Sequence, residues 1–408
     1  MIKKIVTSLF LLAILSCKTE KKQTVSMMED TAFLASDSLG GRETGTEFEQ
    51  KAASYLKDRM KSIGLQPKGN GESYFQTFTF KPKNDPHQEV QYITGDSTIT
   101  GTNVIGYFDN KADQTIIVGA HYDHLGMGGE GSLYREGEAI HNGADDNASG
   151  VAVLLHLADS LGKSKLNNYN YLFIAFSGEE MGLLGSNYFV KNPTFDLSKS
   201  NYMINMDMVG RLREDNTLSV SGTGTAPIWN QVLNSTNPGF KLVLKESGVG
   251  PSDHTSFYLQ DIPVLHFFTG QHEDYHKPSD DSDKLNYEGM EKISNYIIDV
   301  IEELNNTPKL TFKKTKNESE EVPRFKVTLG VVPDYLFDGK GMRIDGVSED
   351  KPAQKAGLLK GDIVIKLGDS TVVDMMSYMR ALSTFEEGNS TTVVVDRNGQ
   401  KVEAEITF

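Results

Sequence analysis

Four short apolar runs, at residues 115–118, 171–176, 202–206 and 262–268, alternate with stretches of helical spacing at 151–161, 183–190, 227–234 and 288–304. A strand covered on both faces reads as a short, nearly continuous apolar run, and parallel strands need a helical crossover between them. The alternation therefore predicts an α/β fold, a three-layer sandwich with a mostly parallel, mixed central sheet. In open sheets of this kind ligands sit beyond the carboxyl ends of the strands. Each run here leads directly into polar residues: the first into His121, Tyr122, Asp123 and His124, the second into Ser177, Gly178, Glu179 and Glu180, the third into Asp207, and the fourth into a loop holding His272, Tyr275 and His276. Four polar clusters thus fall on one expected edge.

A fifth cluster, Asn142-Gly143-Ala144-Asp145-Asp146-Asn147-Ala148-Ser149-Gly150, precedes the helix at 151–161. Alone it reads as an Asp-rich turn capping that helix. Two carboxylates side by side repel, however, and need a cation or a dense set of donors. Beside the other clusters the cation reading prevails. His121 and Asp123 share a strand face, so one can bind a metal while the other fixes the imidazole tautomer. Asp146 can offer one oxygen to each of two cations, Glu180 and Asp207 supply further carboxylates, and His276 supplies a second imidazole. Each metal then keeps coordination open for water, as catalytic sites do. Imidazole and carboxylate without thiolate favours zinc, with cobalt or manganese as substitutes. Glu179, beside a ligand yet free, is suited as the general base acting on a metal-bridged hydroxide.

These residues carry a resemblance. His121-Tyr-Asp123, Gly143-Ala-Asp-Asp146-Asn, Gly178-Glu179-Glu180, Asn205-Met-Asp207-Met-Val-Gly and Tyr275-His276-Lys-Pro-Ser-Asp280 resemble the five motifs of the co-catalytic zinc exopeptidases, which include bacterial leucyl aminopeptidases, glutamate carboxypeptidases and glutaminyl cyclases. The resemblance covers roughly residues 25–305. It implies two zinc ions per chain, one held by His121, Asp146 and Asp207 and the other by Asp146, Glu180 and His276, with Glu179 as base and Asp123 behind His121. It also implies that Tyr275 polarises the scissile carbonyl, and that the Asp146–Asn147 peptide is cis. Residues 252–257 resemble a substrate-side loop of the family, and the stretch from Tyr74 to Gly101 is too short for the protease-associated insert of some relatives. His124, His141, His156, His266 and His272 match no ligand position and read as structural or as supporting the ligands from behind.

The flanks bound the rest. Lys3 and Lys4, an apolar stretch at 5–15 and Ile14-Leu15-Ser16-Cys17 resemble a bacterial lipoprotein signal, with a plain secretory signal as the alternative. Either exports the protein to the cell envelope, and the first adds a lipid anchor in the membrane. The one cysteine of the 408 residues lies in this segment, so the mature chain has no disulfide. Residues 44–63 have helical spacing, ended by Gly64, and residues 72–108 alternate as strands around Tyr74, Phe75, Phe78, Phe80, Val90, Tyr92, Ile93, Val104, Ile105 and Tyr107. After residue 304 a charged, Pro-containing stretch reads as a linker. Residues 327–331, 347–364 and 391–396 then resemble a PDZ domain of the bacterial protease-associated kind, with a helix near 375–382, which implies capture of a peptide C-terminus. The expected organisation is a signal at 1–17, a tether at 18–24, a peptidase domain at 25–305, a linker at 306–323 and a PDZ domain at 324–408. A net charge of −15 opposes binding to phosphate backbones, so no nucleic-acid partner is expected. The expected activity is removal of N-terminal residues from peptide substrates. Glutaminyl cyclisation, carboxypeptidase or dipeptidase action, and peptide binding through the PDZ domain alone are the alternatives.

Overall fold

The computed structural model describes residues 26–82, 91–129, 131–316, 326–334, 336–337, 339–348 and 350–408. The expected signal and tether, Val90, and residues 317–323 of the expected linker lie outside the described residues.

The first sheet-bearing unit runs α1 (Met27–Leu34), α2 (Glu47–Ile63), β1 (Gln66–Pro67), β2 (Phe75–Phe80), β3 (Ile99–Phe108), β4 (Thr115–His121), α3 (Gly150–Lys163), β5 (Asn170–Phe176), α4 (Leu184–Lys191), β6 (Ser200–Met206), β7 (Thr217–Ser221), α5 (Trp229–Ser235), β8 (Lys241–Lys245), α6 (His254–Tyr258), β9 (Val264–Phe268) and α7 (Tyr287–Leu304). Local chemistry sets the helix ends. The Thr46 side chain accepts from the Glu49 N–H at the start of α2, and Gly64 closes it in a left-handed conformation. Asn286 caps α7 in the same way as Thr46, accepting from the Gly289 N–H.

The strands form one nine-stranded sheet in the order β1-β3-β5-β4-β6-β9-β7-β8, with β2 on β3. The central β5, β4, β6 and β9 are parallel, while β3 pairs antiparallel to β5 and β7 antiparallel to β9. Successive residues point to opposite faces, and β4 shows it: Ile116, Val118 and Ala120 join one core with Leu56, Leu154 and Ile297, whereas Ile117 joins the other with Phe189 and Phe257. Each fully buried Ile, Val, Leu or Phe among them contributes about 1.5–3 kcal/mol. The sandwich expected from the sequence is present, with mixed character at both flanks.

Two local expectations differ. Tyr92 and Ile93 are not in a strand; Tyr92 leaves the sheet to donate to the Leu184 carbonyl (2.8 Å) and to pack on Tyr188 (5.1 Å between rings). The first part of the expected linker lies on the sandwich instead of bridging solvent. Leu310 N–H donates to Asn201 (2.8 Å), Lys313 N–H to the Thr225 carbonyl (2.8 Å) and Thr315 N–H to Tyr258 (3.0 Å).

The C-terminal unit comprises β10 (Val331–Pro333), β11 (Met342–Val347), α8 (Pro352–Lys355), β12 (Ile363–Leu367), β13 (Ser370–Thr371), α9 (Met375–Leu382), β14 (Ser390–Arg397) and β15 (Gln400–Thr407). Its sheet runs β10-β11-β12-β14-β15, with β13 on β12, around a core of its own that includes Leu329, Ile344, Val364 and Val393. β10 is an edge strand of this sheet.

Candidate metal centre

Because β5, β4, β6 and β9 are adjacent and parallel, their carboxyl ends share one edge, and the expected clusters meet there. His121 is the last residue of β4. Its Nε2 lies 3.3 Å from Asp146 Oδ1 and 3.3 Å from Asp207 Oδ1. His276, in the loop after β9, places Nε2 3.1 Å from Asp146 Oδ2 and 3.3 Å from Glu180 Oε2. The two oxygens of Asp146 thus face different imidazoles.

Each imidazole is oriented from behind. His121 Nδ1 is 3.2 Å from the main-chain carbonyl of Asp123 and 3.6 Å from its carboxylate, so the backbone oxygen is the nearer acceptor, not the side chain the sequence suggested. The Asp123 carboxylate accepts instead from Thr44 Oγ1 (3.1 Å) and the Glu179 N–H (3.1 Å). His276 Nδ1 donates to the Gly131 carbonyl (2.8 Å). With Nδ1 turned to a main-chain carbonyl in both rings, each Nε2 is aimed at carboxylate oxygens. Nitrogen and oxygen atoms about 3.3 Å apart have the spacing that tetrahedral ligands around a cation at about 2.0–2.2 Å would show. The donor set fits a divalent metal, and His121, Asp146 and Asp207 form one compact ligand group.

A second compact group joins Asp146 and Glu180 to His124, whose Nδ1 lies 2.7 Å from Glu180 Oε1. This imidazole thereby holds the Glu180 oxygen that does not face His276.

The electrostatics follow from packing anions out of water. Burial opposes charge on His121, but Glu179 and Asp207 hold its pKa well above the usual imidazole value. Burial likewise opposes charge on His276, yet Glu180 and Asp146 carry it to about 11. Burial and the repulsion of Asp146 would raise Glu180; His276 and His124 bring it down to about 2. Burial raises Glu179 well above an ordinary carboxyl. Burial also raises Tyr275 well above a free phenol, so its hydroxyl stays protonated, and its ring stacks on His276 at 3.8 Å.

The loop carrying Asp146 is held by groups the sequence did not single out. Asp280 Oδ2 accepts from the N–H groups of Asp145 (2.9 Å) and Asp146 (3.1 Å). Asp145 points away from the imidazole pair: Oδ1 accepts from the Gly210 N–H (2.6 Å) and Oδ2 faces His272 Nε2 (3.1 Å). Gly143 has φ 56°, and a Cβ there would come within 2.3 Å of the Asp146 carbonyl, so the turn requires glycine. The Asp146–Asn147 peptide is cis. Arg42 is buried beside these loops and donates to the carbonyls of Tyr122 (2.8 Å), Asn142 (2.7 Å), Gly143 (2.9 Å) and Leu34. Nothing in local periodicity marks Arg42. Asp280 stands at the end of a recognised motif, which was its available signal. In the loop resembling a substrate-side segment, Asp253 and His254 are fully buried; burial lifts the Asp253 carboxyl to about 7.

A sandwich of this order, gathering imidazoles and carboxylates at the carboxyl edge of its parallel strands, has the architecture of the zinc exopeptidase-like folds. Residues 103–301 match the sequence profile of peptidase family M28, and residues 310–408 match that of the PDZ domain. Aminopeptidase YwaD of Bacillus subtilis is 27% identical over 259 residues, covering 59% of this chain and 48% of that protein. The chain spans about half the length of the curated relatives it matches. Among solved structures, a zinc aminopeptidase from Bacillus subtilis is similar with a TM-score of 0.52 at 19% identity, over 72% of this chain and 98% of that one. Porphyromonas gingivalis glutaminyl cyclase is similar with a TM-score of 0.54 at 20% identity, over 68% of this chain and 97% of that one. At such identities the likeness is one of fold.

Proposed function

We propose that this chain is an exported, zinc-dependent aminopeptidase that hydrolyses N-terminal residues from peptides. The observation that carries the reading is Asp146, whose Oδ1 lies 3.3 Å from His121 Nε2 while its Oδ2 lies 3.1 Å from His276 Nε2. Asp146 would bridge two zinc ions, one also held by His121 and Asp207, the other by Glu180 and His276. When bound, zinc polarises the scissile carbonyl and makes water a stronger acid.

The side chains supply the rest. Glu179, fixed through its own N–H on Asp123, takes a proton from the attacking water as the C–O bond forms. Its raised pKa suits it to hold that proton and then pass it to the leaving amine as the C–N bond breaks. Tyr275, protonated and stacked on His276, donates a hydrogen bond to the carbonyl oxygen as charge develops there. Asp123 ties Glu179 to the loop that orients His121. Amino- rather than carboxypeptidase action is supported by the names of the relatives. Envelope localisation with a lipid anchor is supported by the pattern at residues 3–17. The PDZ domain offers an edge strand, β10, on which a peptide C-terminus can pair.

Product analysis on a mixed peptide library with zinc supplied tests the proposal. The expected products lack one N-terminal residue, and a chelator abolishes their formation. Glu179→Gln should lower kcat by about 10²–10⁴-fold with zinc content unchanged. Hydrolysis that survives chelation would overturn the reading. So would release of ammonia from a Gln-initiated peptide without loss of a residue, the outcome that glutaminyl cyclisation gives.

A further inference from the structure

The loops that present Asp207 and His276 are knitted to each other, and both touch the C-terminal domain. Thr269 Oγ1 donates to the Met208 carbonyl (2.7 Å) and accepts from the Arg211 N–H (3.3 Å), while the Arg211 guanidinium reaches Asp274 (2.7 Å). From the first loop Arg213 extends to the PDZ domain. Its Nη1 and Nη2 lie 3.3 and 3.4 Å from the two oxygens of Asp334, and Nη2 lies 3.1 Å from Asp345. Asp334 is only 5% exposed and also accepts from Arg343 Nε (2.8 Å), so a buried carboxylate is shared by two guanidiniums that themselves stay partly exposed.

The second loop meets an apolar knob. Leu336 is 3% exposed, yet it stands outside the cluster of residues that forms the PDZ core. What covers it includes Gly270, the second residue after β9: a Cβ at Gly270 would come within 2.8 Å of Leu336 Cδ1. Gly270 has φ 102° and no side chain, so the backbone of the loop can approach the knob directly. Two residues further on lies His272, which faces Asp145, and then Tyr275 and His276. The segment at 310–315 is itself held on the sandwich by Asn201, Thr225 and Tyr258.

We propose that the PDZ domain is a brace for the catalytic centre, with Arg213, Asp334 and Leu336 as positioning residues that hold the loops of Asp207 and His276 in register. The inference rests on the peptidase reading for its meaning in catalysis, but its contacts do not. β10 runs directly into Asp334, so a peptide added to that edge would bear on the same corner.

The test uses the full-length chain with zinc bound and follows amide hydrogen exchange at residues 207–213 and 269–276, with helix α7 as internal reference. Leu336→Ala should speed exchange at 269–276 by about tenfold, the response to loss of a local restraint, and leave α7 unchanged. It should also lower kcat more than it changes KM. Because Leu336 lies outside the PDZ core, this variant should fold, so the test stands even where an ion-pair variant does not. Arg213→Gln should speed exchange at 207–213, and Arg213→Lys should restore part of the protection. Unchanged exchange at 269–276 in folded Leu336→Ala would overturn the brace. A wild-type chain that hydrolyses no peptide while its loops still respond would overturn the proposed activity and leave the brace standing.

Discussion

Asp145 and Asp146 are neighbours in sequence and do opposite things. Asp146 turns both oxygens toward imidazoles, 3.3 Å from His121 and 3.1 Å from His276. Asp145 faces inward, where its Oδ1 accepts from Gly210 N–H and Ser149 Oγ and its Oδ2 meets His272. On the proposed two-zinc reading, Asp146→Asn should therefore cost both ions. Asp145→Asn should retain them but lose stability of about 1–3 kcal/mol, since an amide replaces an acceptor oxygen that buried donors require. Metal content after dialysis and urea denaturation check the two halves separately, and equal zinc loss in both variants would contradict the assignment. Side-chain type made the pair conspicuous in the sequence. Which member faces the imidazoles depends on the backbone turn at Gly143 and on the Asp280 acceptor 135 positions away from Asp145.

The helices and loops are joined by one side chain that composition would place in solvent. Arg42 follows Gly40 and Gly41 and precedes α2, yet its guanidinium is buried and spans the carbonyls of Leu34, Tyr122, Asn142 and Gly143. It joins α1 to the loops of Asp123 and Asp146 in a single fork. Burial would strip its charge and brings its pKa to about 10; Asp123, Asp280 and Asp146 keep it a cation at neutral pH. Arg42→Met should destabilise the chain by about 3 kcal/mol or more, because four carbonyls lose their donor and the acids lose a buried cation. Arg42→Lys should recover only part, a point ammonium being unable to reproduce the planar fork. Urea denaturation of the metal-free chain measures both.

For the whole molecule, the stacked pair His254 and His266, with rings 4.5 Å apart, makes stability depend on acid. Burial holds His254 well below the usual imidazole value and brings His266 to about 4. In the unfolded chain each takes a proton near 6.5, so between that value and about 4 the unfolded state binds more protons and stability falls as pH falls. For His266 the loss is on the order of 3 kcal/mol when complete. Asp253, raised by burial to about 7, acts in the opposite sense over the same window, so the comparison must be variant against wild type. In the metal-free protein His266→Gln should lose less stability than wild type between pH 7 and 5 by denaturant titration; parallel pH profiles would contradict this. What the sequence by itself determined was the α/β sandwich, through apolar runs too short and too uniform for anything but covered strands, and the chemistry of its edge, through residue types at successive strand ends. It did not determine Arg42, the His124 contact to Glu180, the hold of Asp280 on the N–H groups of Asp145 and Asp146, or the seat of Leu336 on Gly270. Those pairings join residues far apart along the chain, and only packing decides which polar group is buried and what it then must meet.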